Sequence, residues 1–193
     1  MTKPTQIEHD VKCRCCHQTG TVSRRFFLKG ILTTGLIYGG SLMCPQPVLA
    51  DEHRAKALVL TCIDFRFVSL EQSFLSNQHL DQAYDWVALA GASLALTGFP
   101  HPAEAEAFWD QLGLSKQLHN INKVIILDHQ DCGAYASVHK QPFSDLTSER
   151  NFHAKYLNQA YEQIRQRYPN LDVELYFAEL TGEINLISPQ AVI

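Results

Sequence analysis

The feature that most constrains the fold of this chain is a set of short apolar runs separated by segments with helical spacing. The clearest run is Lys123 to His129, and others cover Lys56 to Cys62 and Tyr84 to Ala90. Runs that are apolar at almost every position predict strands buried on both faces, as in parallel sheets. Two more strands are predicted over 173–177 and 184–187. We therefore expect an α/β fold, with a mainly parallel sheet of about four to five strands and helices on both faces.

The segments between these runs predict helices. Apolar residues recur at helical intervals over 68–80, 103–120 and 147–168, and a short helical piece is expected to end near His139. Because glycine weakens a helix interior, the second helix is expected to break at Gly113. Either Thr147 or Ser148 is expected to cap the long helix, which Pro169 then stops.

The first 50 residues have the organisation of an export signal. Ser23 to Lys29 reads S-R-R-F-F-L-K, an apolar run from Gly30 to Met43 follows, and small residues lead up to Ala50. The apolar run is shorter than the roughly 20 residues that span a bilayer. We therefore predict a twin-arginine signal peptide over 1–50 that engages the twin-arginine export machinery. The domain over 51–193 is then expected to be periplasmic or extracellular.

The charge of the chain is distributed unevenly. Residues 1–50 hold six basic and two acidic side chains, so residues 51–193 hold ten basic and 18 acidic ones, a formal charge of −8. The affinity of proteins for nucleic acids comes mostly from cationic side chains that contact phosphates. The composition of the predicted domain therefore argues against a nucleic-acid partner.

Only two cysteines lie beyond the predicted signal. The four that precede residue 51 are Cys13, Cys15, Cys16 and Cys44. In an oxidising compartment the remaining pair, Cys62 and Cys132, is a disulfide, a metal-binding pair or two buried thiols. Because the twin-arginine route carries folded proteins, often with a cofactor already inserted, metal binding is the favoured interpretation.

Two short motifs follow the first and third predicted strands. Cys62-Ile63-Asp64-Phe65-Arg66 follows the first, and His129-Gln130-Asp131-Cys132-Gly133 follows the third. If the two strands are neighbours, two thiolates and an imidazole converge, which is a donor set that suits Zn²⁺ and leaves its fourth position open. Asp64 then either fills that position or stands back from it, held bidentately by Arg66.

Other residues near the motifs are interpreted as structural. Asp128 is interpreted as an ordinary acidic residue of a turn, and Asp131 as a capping residue. Phe65 and Phe67 are interpreted as core residues in preference to residues that line a substrate site. If chemistry at these motifs releases a proton, a side chain must carry it to the solvent. By residue type alone, His139 and His153 are the candidates for that role.

The pairing of C-x-D-x-R with H-x-x-C-G, about 65 residues apart, resembles the β-class carbonic anhydrases. The resemblance implies that Cys62, His129 and Cys132 bind one Zn²⁺ per chain. It implies that Asp64 and Arg66 are the catalytic dyad, with Asp64 a possible fourth ligand in a closed state. It also implies a sheet order of 2-1-3-4 and assembly as a homodimer or a higher homo-oligomer.

The activity implied by this resemblance is that of a zinc lyase, which reversibly hydrates CO₂ to bicarbonate through zinc-bound hydroxide. One stretch departs from the family, because Ala88-Leu89-Ala90-Gly91-Ala92 replaces the usual Arg-Asn-Ala-Gly-Asn. Two alternatives therefore stay open. One is a zinc-dependent hydrolase of carbonyl sulfide or carbon disulfide, and the other is a zinc-binding protein without turnover.

Overall fold

The structure, a computed structural model, describes residues 54–189, so the predicted signal peptide lies outside the described residues. Five strands form one sheet in the order 2-1-3-4-5. The strands are β1 (Ala57–Thr61), β2 (Tyr84–Ala88), β3 (Lys123–His129), β4 (Asp172–Ala178) and β5 (Ile184–Leu186). The first four strands are parallel, and β5 pairs antiparallel with β4 at the edge. The expected α/β fold and strand order are confirmed, with β5 added.

Four α-helices and one 3₁₀ helix connect the strands. The α-helices are α1 (Val68–Asn77), α2 (Pro102–His119), α3 (Gly133–His139) and α4 (Leu146–Arg167), and the 3₁₀ helix is Ala92–Thr97. Within the described residues, we find no helix that combines the length and apolarity required to cross a membrane.

Two details of the helix predictions are wrong. Helix α2 runs without a break through Gly113, because the buried side chains of Phe108 and Leu112 hold its inner face against the core. Helix α4 is capped by Asp145, whose carboxylate accepts a hydrogen bond from the backbone N–H of Ser148 (2.8 Å). Ser148 completes the capping box from inside the helix and is not the cap itself.

The core lies on both faces of the sheet. Leu58 and Leu60 of β1 belong to a cluster that includes residues of α2 and α4. Ala57 and Val59 face the other side, where their cluster includes Leu75 of α1. Side chains along a strand alternate between faces, so covering both faces requires an apolar residue at every position. This is why the apolar runs predicted the strands.

The strand order brings the two motifs together. β1 and β3 are hydrogen-bonded neighbours, with Thr61 opposite Leu127. Because the strands are parallel, both end at the same edge of the sheet, and the residues after them share that edge. Ligand sites in open parallel sheets form beyond the carboxyl ends of the strands.

Candidate metal centre

Three buried side chains converge beyond the ends of β1 and β3. One ligand atom each from Cys62, His129 and Cys132 lies within 4.8 Å of the others. Cys62 follows β1, His129 is the last residue of β3, and Cys132 caps the N-terminus of α3. The structure therefore brings together all three residues predicted as metal ligands.

The two cysteines are free thiols with a spacing that suits a shared metal. Their sulfur atoms are 3.9 Å apart, well beyond the length of a disulfide bond, about 2.05 Å. Two sulfurs bound to one Zn²⁺ at about 2.3 Å in a tetrahedron lie about 3.8 Å apart. The hydrogen bond from Cys132 lowers the pKa of Cys62, and the same contact raises the pKa of Cys132, with burial adding to the increase.

His129 presents one ring nitrogen to this cluster. Its Nδ1 donates to the carbonyl oxygen of Gln130 (2.8 Å), which leaves the lone pair on Nε2. Phe67 packs against the ring, with 4.3 Å between ring centroids. Nε2 is buried and has no hydrogen-bond partner among residues 54–189. A buried, unpartnered nitrogen beside two thiols is what a tetrahedral Cys₂His metal site requires, so the donor set fits Zn²⁺.

Asp64 and Arg66 form a bidentate ion pair beside the cluster. Nε and Nη2 of Arg66 donate to the carboxylate of Asp64, the shortest contact being 2.7 Å. This pairing with Arg66 lowers the pKa of Asp64 to about 2. Oδ2 of Asp64 lies 3.9 Å from Nε2 of His129. The carboxylate thus stands next to the three candidate ligands while its oxygens are engaged by Arg66.

Asp131 takes part in the site, and its interpretation as a capping residue is wrong. Its carboxylate accepts a hydrogen bond from Nη1 of Arg66 (2.8 Å), and its carbonyl oxygen accepts one from Nη2 (2.9 Å). Its backbone N–H donates to the buried carboxylate of Glu149 (2.6 Å). The sequence gives one signal for this role, which is the position of an acidic residue between two candidate ligands.

Asp128 is the other residue that the sequence interpretation missed. It lies inside β3, is buried, and accepts hydrogen bonds from Ser93, Tyr135 and His153. Asp128 is therefore a buried residue that accepts hydrogen bonds from three other residues, and it does not lie in a turn. The signal was available, because an acidic residue within a strand covered on both faces must find buried donors. His153 is fully buried in this network, so it is poorly placed to exchange protons with buffer.

A buried glutamate lies behind the site. Glu71 of α1 is 1% exposed, and its Oε2 has no hydrogen-bond partner among the described residues. Burial raises its pKa to about 7. No sequence pattern distinguishes Glu71, because acidic residues are common in the first turn of a helix.

The two phenylalanines of the first motif have different environments. Phe67 is buried as expected, whereas Phe65 is 85% exposed, so its interpretation as a core residue is wrong. Ile63, on the same loop, is also exposed. A cavity of about 660 Å³ is lined by Cys132, Asp131, Phe143 and Leu180, among others.

Solved structures show the same fold. The β-carbonic anhydrase CafA of Aspergillus fumigatus matches with a TM-score of 0.53 and 12% identity, over 75% of this chain and 80% of that one. A tetrameric β-carbonic anhydrase of Sordaria macrospora matches with a TM-score of 0.53 and 9% identity, over 70% and 82% of the two chains. At these identities the likeness concerns the fold.

Sequence comparison extends the match to a family. An uncharacterized protein of Rickettsia bellii (strain RML369-C) is 32% identical over 136 residues, covering 70% of this chain and 83% of that protein. An uncharacterized protein of Rickettsia conorii (strain ATCC VR-613 / Malish 7) is 30% identical over 145 residues, covering 72% and 78%. The sequence model of a family described as "Putative carbonic anhydrase" matches residues 52–188. Since that match spans both motifs and all five strands, the chain belongs to this carbonic anhydrase family.

Proposed function

We propose that the protein is a zinc-dependent carbonic anhydrase that interconverts CO₂ and bicarbonate. The observation that carries the proposal is the buried Cys62, His129 and Cys132 cluster with the Asp64–Arg66 pair beside it. Cys62, His129 and Cys132 are the residues that would hold Zn²⁺. Bound there, Zn²⁺ lowers the pKa of water from about 15.7 to about 7 and supplies hydroxide near neutral pH.

The chain itself contributes charge and orientation to this reaction. Because its pKa is held at about 2 by Arg66, Asp64 stays a carboxylate at neutral pH. It can therefore accept a hydrogen bond from the attacking water at Oδ2 and orient that water towards CO₂. Arg66 fixes the direction of the carboxylate by holding both of its oxygens. Ile63 and Phe65, which flank Asp64 in the sequence, expose apolar side chains that would suit the approach of a nonpolar substrate.

The test is the CO₂ hydration rate of the zinc-loaded full chain, with zinc per chain determined on the same sample. Cys132→Ser serves as the control for metal held by the cysteines before residue 51, and we expect the wild type to hold one more zinc than this variant. Asp64→Asn is expected to keep its zinc and to lose about 100-fold in rate, the loss expected when a group that orients the reacting water is removed.

Each other outcome has a defined meaning. Full activity in Asp64→Asn contradicts the role assigned to Asp64. Loss of zinc in Asp64→Asn indicates that Asp64 is a fourth ligand and favours a zinc-binding protein without turnover. An inactive wild type with zinc bound contradicts the carbonic anhydrase proposal.

A second candidate keeps the zinc site and changes the substrate to carbonyl sulfide or carbon disulfide. It is favoured by the apolar stretch Ala88 to Ala92, which stands where the resembled family usually has the polar Arg-Asn-Ala-Gly-Asn. The same zinc-loaded sample should be assayed for sulfide release from both compounds. Release without CO₂ hydration favours this candidate, whereas hydration without sulfide release contradicts it.

We propose that the protein assembles as a homodimer or a higher homo-oligomer. The Sordaria macrospora neighbours are tetrameric, and Ile63 and Phe65 expose apolar side chains beside the site. A C2 dimer is the commonest closed assembly. Sedimentation equilibrium at micromolar concentration is expected to give a multiple of the chain mass, and the mass of a single chain contradicts the proposal.

We propose that the protein is exported by the twin-arginine route to the periplasm or beyond. The proposal rests on the Ser23 to Lys29 pattern. Replacing both Arg24 and Arg25 by Lys keeps the charge but removes the pattern. The wild type is expected in the periplasmic fraction of a host that has the twin-arginine machinery, and the double variant inside the cell. Equal distribution of the two contradicts the proposal.

A further inference from the structure

Arg66 has a second carboxylate partner on the other motif. Besides holding Asp64, its guanidinium donates from Nη1 to the carboxylate of Asp131 (2.8 Å) and from Nη2 to the Asp131 carbonyl oxygen (2.9 Å). Asp64 is only two residues away from Arg66, so that pair alone could turn as one unit with its own loop. The contacts with Asp131 connect this loop to the one between His129 and Cys132.

The backbone of Asp131 is held in a conformation that most residues avoid. Its φ is 56°, in the left-handed region, where aspartate, asparagine and glycine are tolerated better than other residues. This conformation is fixed by the hydrogen bond from its N–H to Oε1 of Glu149 (2.6 Å). Glu149 is buried and lies in the first turn of α4, the longest helix among residues 54–189. Asp131 is thus anchored to the scaffold and not only to Arg66.

The neighbouring residue strengthens this anchor. The backbone N–H of Gln130 donates to the carbonyl oxygen of Ala178 (2.8 Å), and its side-chain oxygen accepts from the N–H of Leu180 (3.0 Å). The loop that carries Asp131 is therefore attached to the end of β4 on one side and to α4 on the other. Arg66 meets a rigid partner.

We propose that Asp131, held by Glu149, is a positioning residue that fixes the Asp64–Arg66 pair against the metal centre. The proposal rests on the proposed carbonic anhydrase function, because it assigns Asp131 to the geometry of that site. Asp131 is assigned this role through Arg66, whose guanidinium it holds by two hydrogen bonds.

An ordinary surface ion pair does not explain these contacts. The side chains of Arg66 and Asp131 are 36% and 67% exposed, and ion pairs this exposed contribute little to stability. Charge attraction alone would also not require the left-handed backbone of Asp131 or its hydrogen bond to the buried carboxylate of Glu149. The expected role is therefore in orientation, with little effect on the free energy of unfolding.

The test compares substitutions that share a backbone preference. Asp131→Gly keeps the left-handed conformation and removes the carboxylate, whereas Asp131→Asn keeps an acceptor oxygen without the charge. Asp110→Asn removes an exposed carboxylate of α2 away from the site. Gln82→Gly relaxes another residue with positive φ (53°). Both control variants are expected to behave as the wild type.

The first readout does not depend on activity. In ¹⁵N-labelled full chain, the Nη groups of Arg66, assigned by their absence in Arg66→Lys, are expected to give separate, slowly exchanging NMR signals because both are held. In Asp131→Gly these signals are expected to average or broaden, with Asp131→Asn intermediate. Unchanged Arg66 signals in Asp131→Gly overturn the proposal, whatever the activity of the protein.

The second readout is kinetic. For the zinc-loaded chain, Asp131→Gly is expected to lower kcat for CO₂ hydration by about three- to tenfold, with KM and zinc content unchanged. If the wild type is inactive but the Arg66 signals still change in Asp131→Gly, the result supports the positioning of Arg66 by Asp131 and contradicts the proposed function instead. A kcat decrease that is matched by loss of zinc, or by an equal decrease in Gln82→Gly, overturns the positioning role.

Discussion

Asp128 shows how one buried carboxylate can hold together the elements around the candidate metal centre. It accepts a backbone and a hydroxyl hydrogen bond from Ser93 (3.0 and 2.8 Å), one from Tyr135 (2.7 Å) and one from His153 (3.0 Å). These donors belong to the 3₁₀ helix, α3 and α4. Because Asp128 directly precedes His129, the network fixes the end of β3 from three sides.

The first prediction concerns this network. Asp128→Asn removes the charge that all four hydrogen bonds share and turns an amide group towards buried donors. We expect a loss of about 2 to 4 kcal/mol in the free energy of unfolding of the metal-free protein, measured in urea. Ser93→Ala, which removes one hydroxyl and keeps the backbone donor, is expected to lose about 1 kcal/mol. Equal losses in the two variants contradict the inference that Asp128 holds all of these donors.

Glu71 leads to a prediction about pH. Burial raises its pKa from 4.5 to about 7, so its charged form destabilises the folded state above about pH 7. The penalty is relieved as the pH falls through 7, and it vanishes below 4.5, where both states are protonated. Glu71→Gln is therefore expected to be more stable than the metal-free wild type by roughly 2 to 3 kcal/mol at pH 8, and equally stable near pH 4.

Urea unfolding of both proteins at several pH values measures this difference. Glu106→Gln, on the exposed side of α2, is the control and is expected to show the same small difference from the wild type at every pH. If the advantage of Glu71→Gln does not shrink on acidification, the destabilisation does not come from the buried charge.

The residues of the site differ in how far the sequence could predict them. Cys62, His129 and Cys132 were identified because they lie at the ends of apolar runs, where strand order alone decides whether they meet. Asp128 and Asp131 were missed, because their partners come from distant parts of the chain. Ser93 and His153 lie 35 and 25 residues from Asp128. Such hydrogen bonds depend on tertiary packing, which a single sequence does not display.

At the scale of elements, the loop after β2 explains why glycine stands at position 91, within the stretch Ala88 to Ala92 that otherwise departs from the family pattern. Gly91 has φ of 79°, and a Cβ there would lie 3.0 Å from Cβ of Ala134 and 3.1 Å from Cβ of Leu94. Its N–H also donates to the sulfur of Cys62 (3.3 Å). Glycine is therefore required here for the backbone conformation and for the close packing against Ala134 of α3 and Leu94.

Gly98 provides a matched control for a prediction at this loop. Its φ is 86°, but a Cβ there would meet only Pro102, at an ordinary 3.5 Å. Gly98→Ala is expected to cost about 1 kcal/mol of unfolding free energy from backbone strain alone. Gly91→Ala is expected to cost about 2 to 3 kcal/mol and to weaken zinc binding, measured by competition with a chelator. Equal effects of the two substitutions contradict the packing role of Gly91.

The elements themselves were more predictable than their ends. Both ends of β3 were predicted correctly, because charged and turn residues mark the limits of its apolar run. The predicted break at Gly113 failed because local propensity is a weak effect, about 1 kcal/mol, and packing of Phe108 and Leu112 outweighs it. The cap at Asp145 was missed because α4 begins at Leu146, one residue before the predicted start, so the capping position moves back as well.

At the scale of the whole molecule, the sheet order was not contained in any apolar pattern. Periodicity predicts that strands and helices alternate, but not which strands are neighbours. The order came from the resemblance of two short motifs to a known family, and the structure confirms it for β1 to β4. The candidate metal centre depends on this order, because adjacent β1 and β3 bring Cys62 close to His129.

The last prediction concerns metal removal from the whole protein. The two large core clusters lie on the faces of the sheet and contain neither Cys62 nor Cys132, which belong to a third, smaller cluster. The fold is therefore expected to persist without metal, unlike small zinc domains that unfold on chelation. Zinc binding to the folded state alone should still add about 4 kcal/mol when free zinc is 1,000 times the dissociation constant.

Far-UV circular dichroism and urea unfolding, each with chelator and with excess zinc, measure these two effects. We expect the same helical signal in both conditions and a higher unfolding midpoint with zinc. Cys132→Ser separates the site from the cysteines before residue 51, because its midpoint is expected to respond weakly to zinc. Loss of helical signal with chelator contradicts a core that is independent of the metal, and an equal zinc response in Cys132→Ser places the stabilising metal elsewhere in the chain.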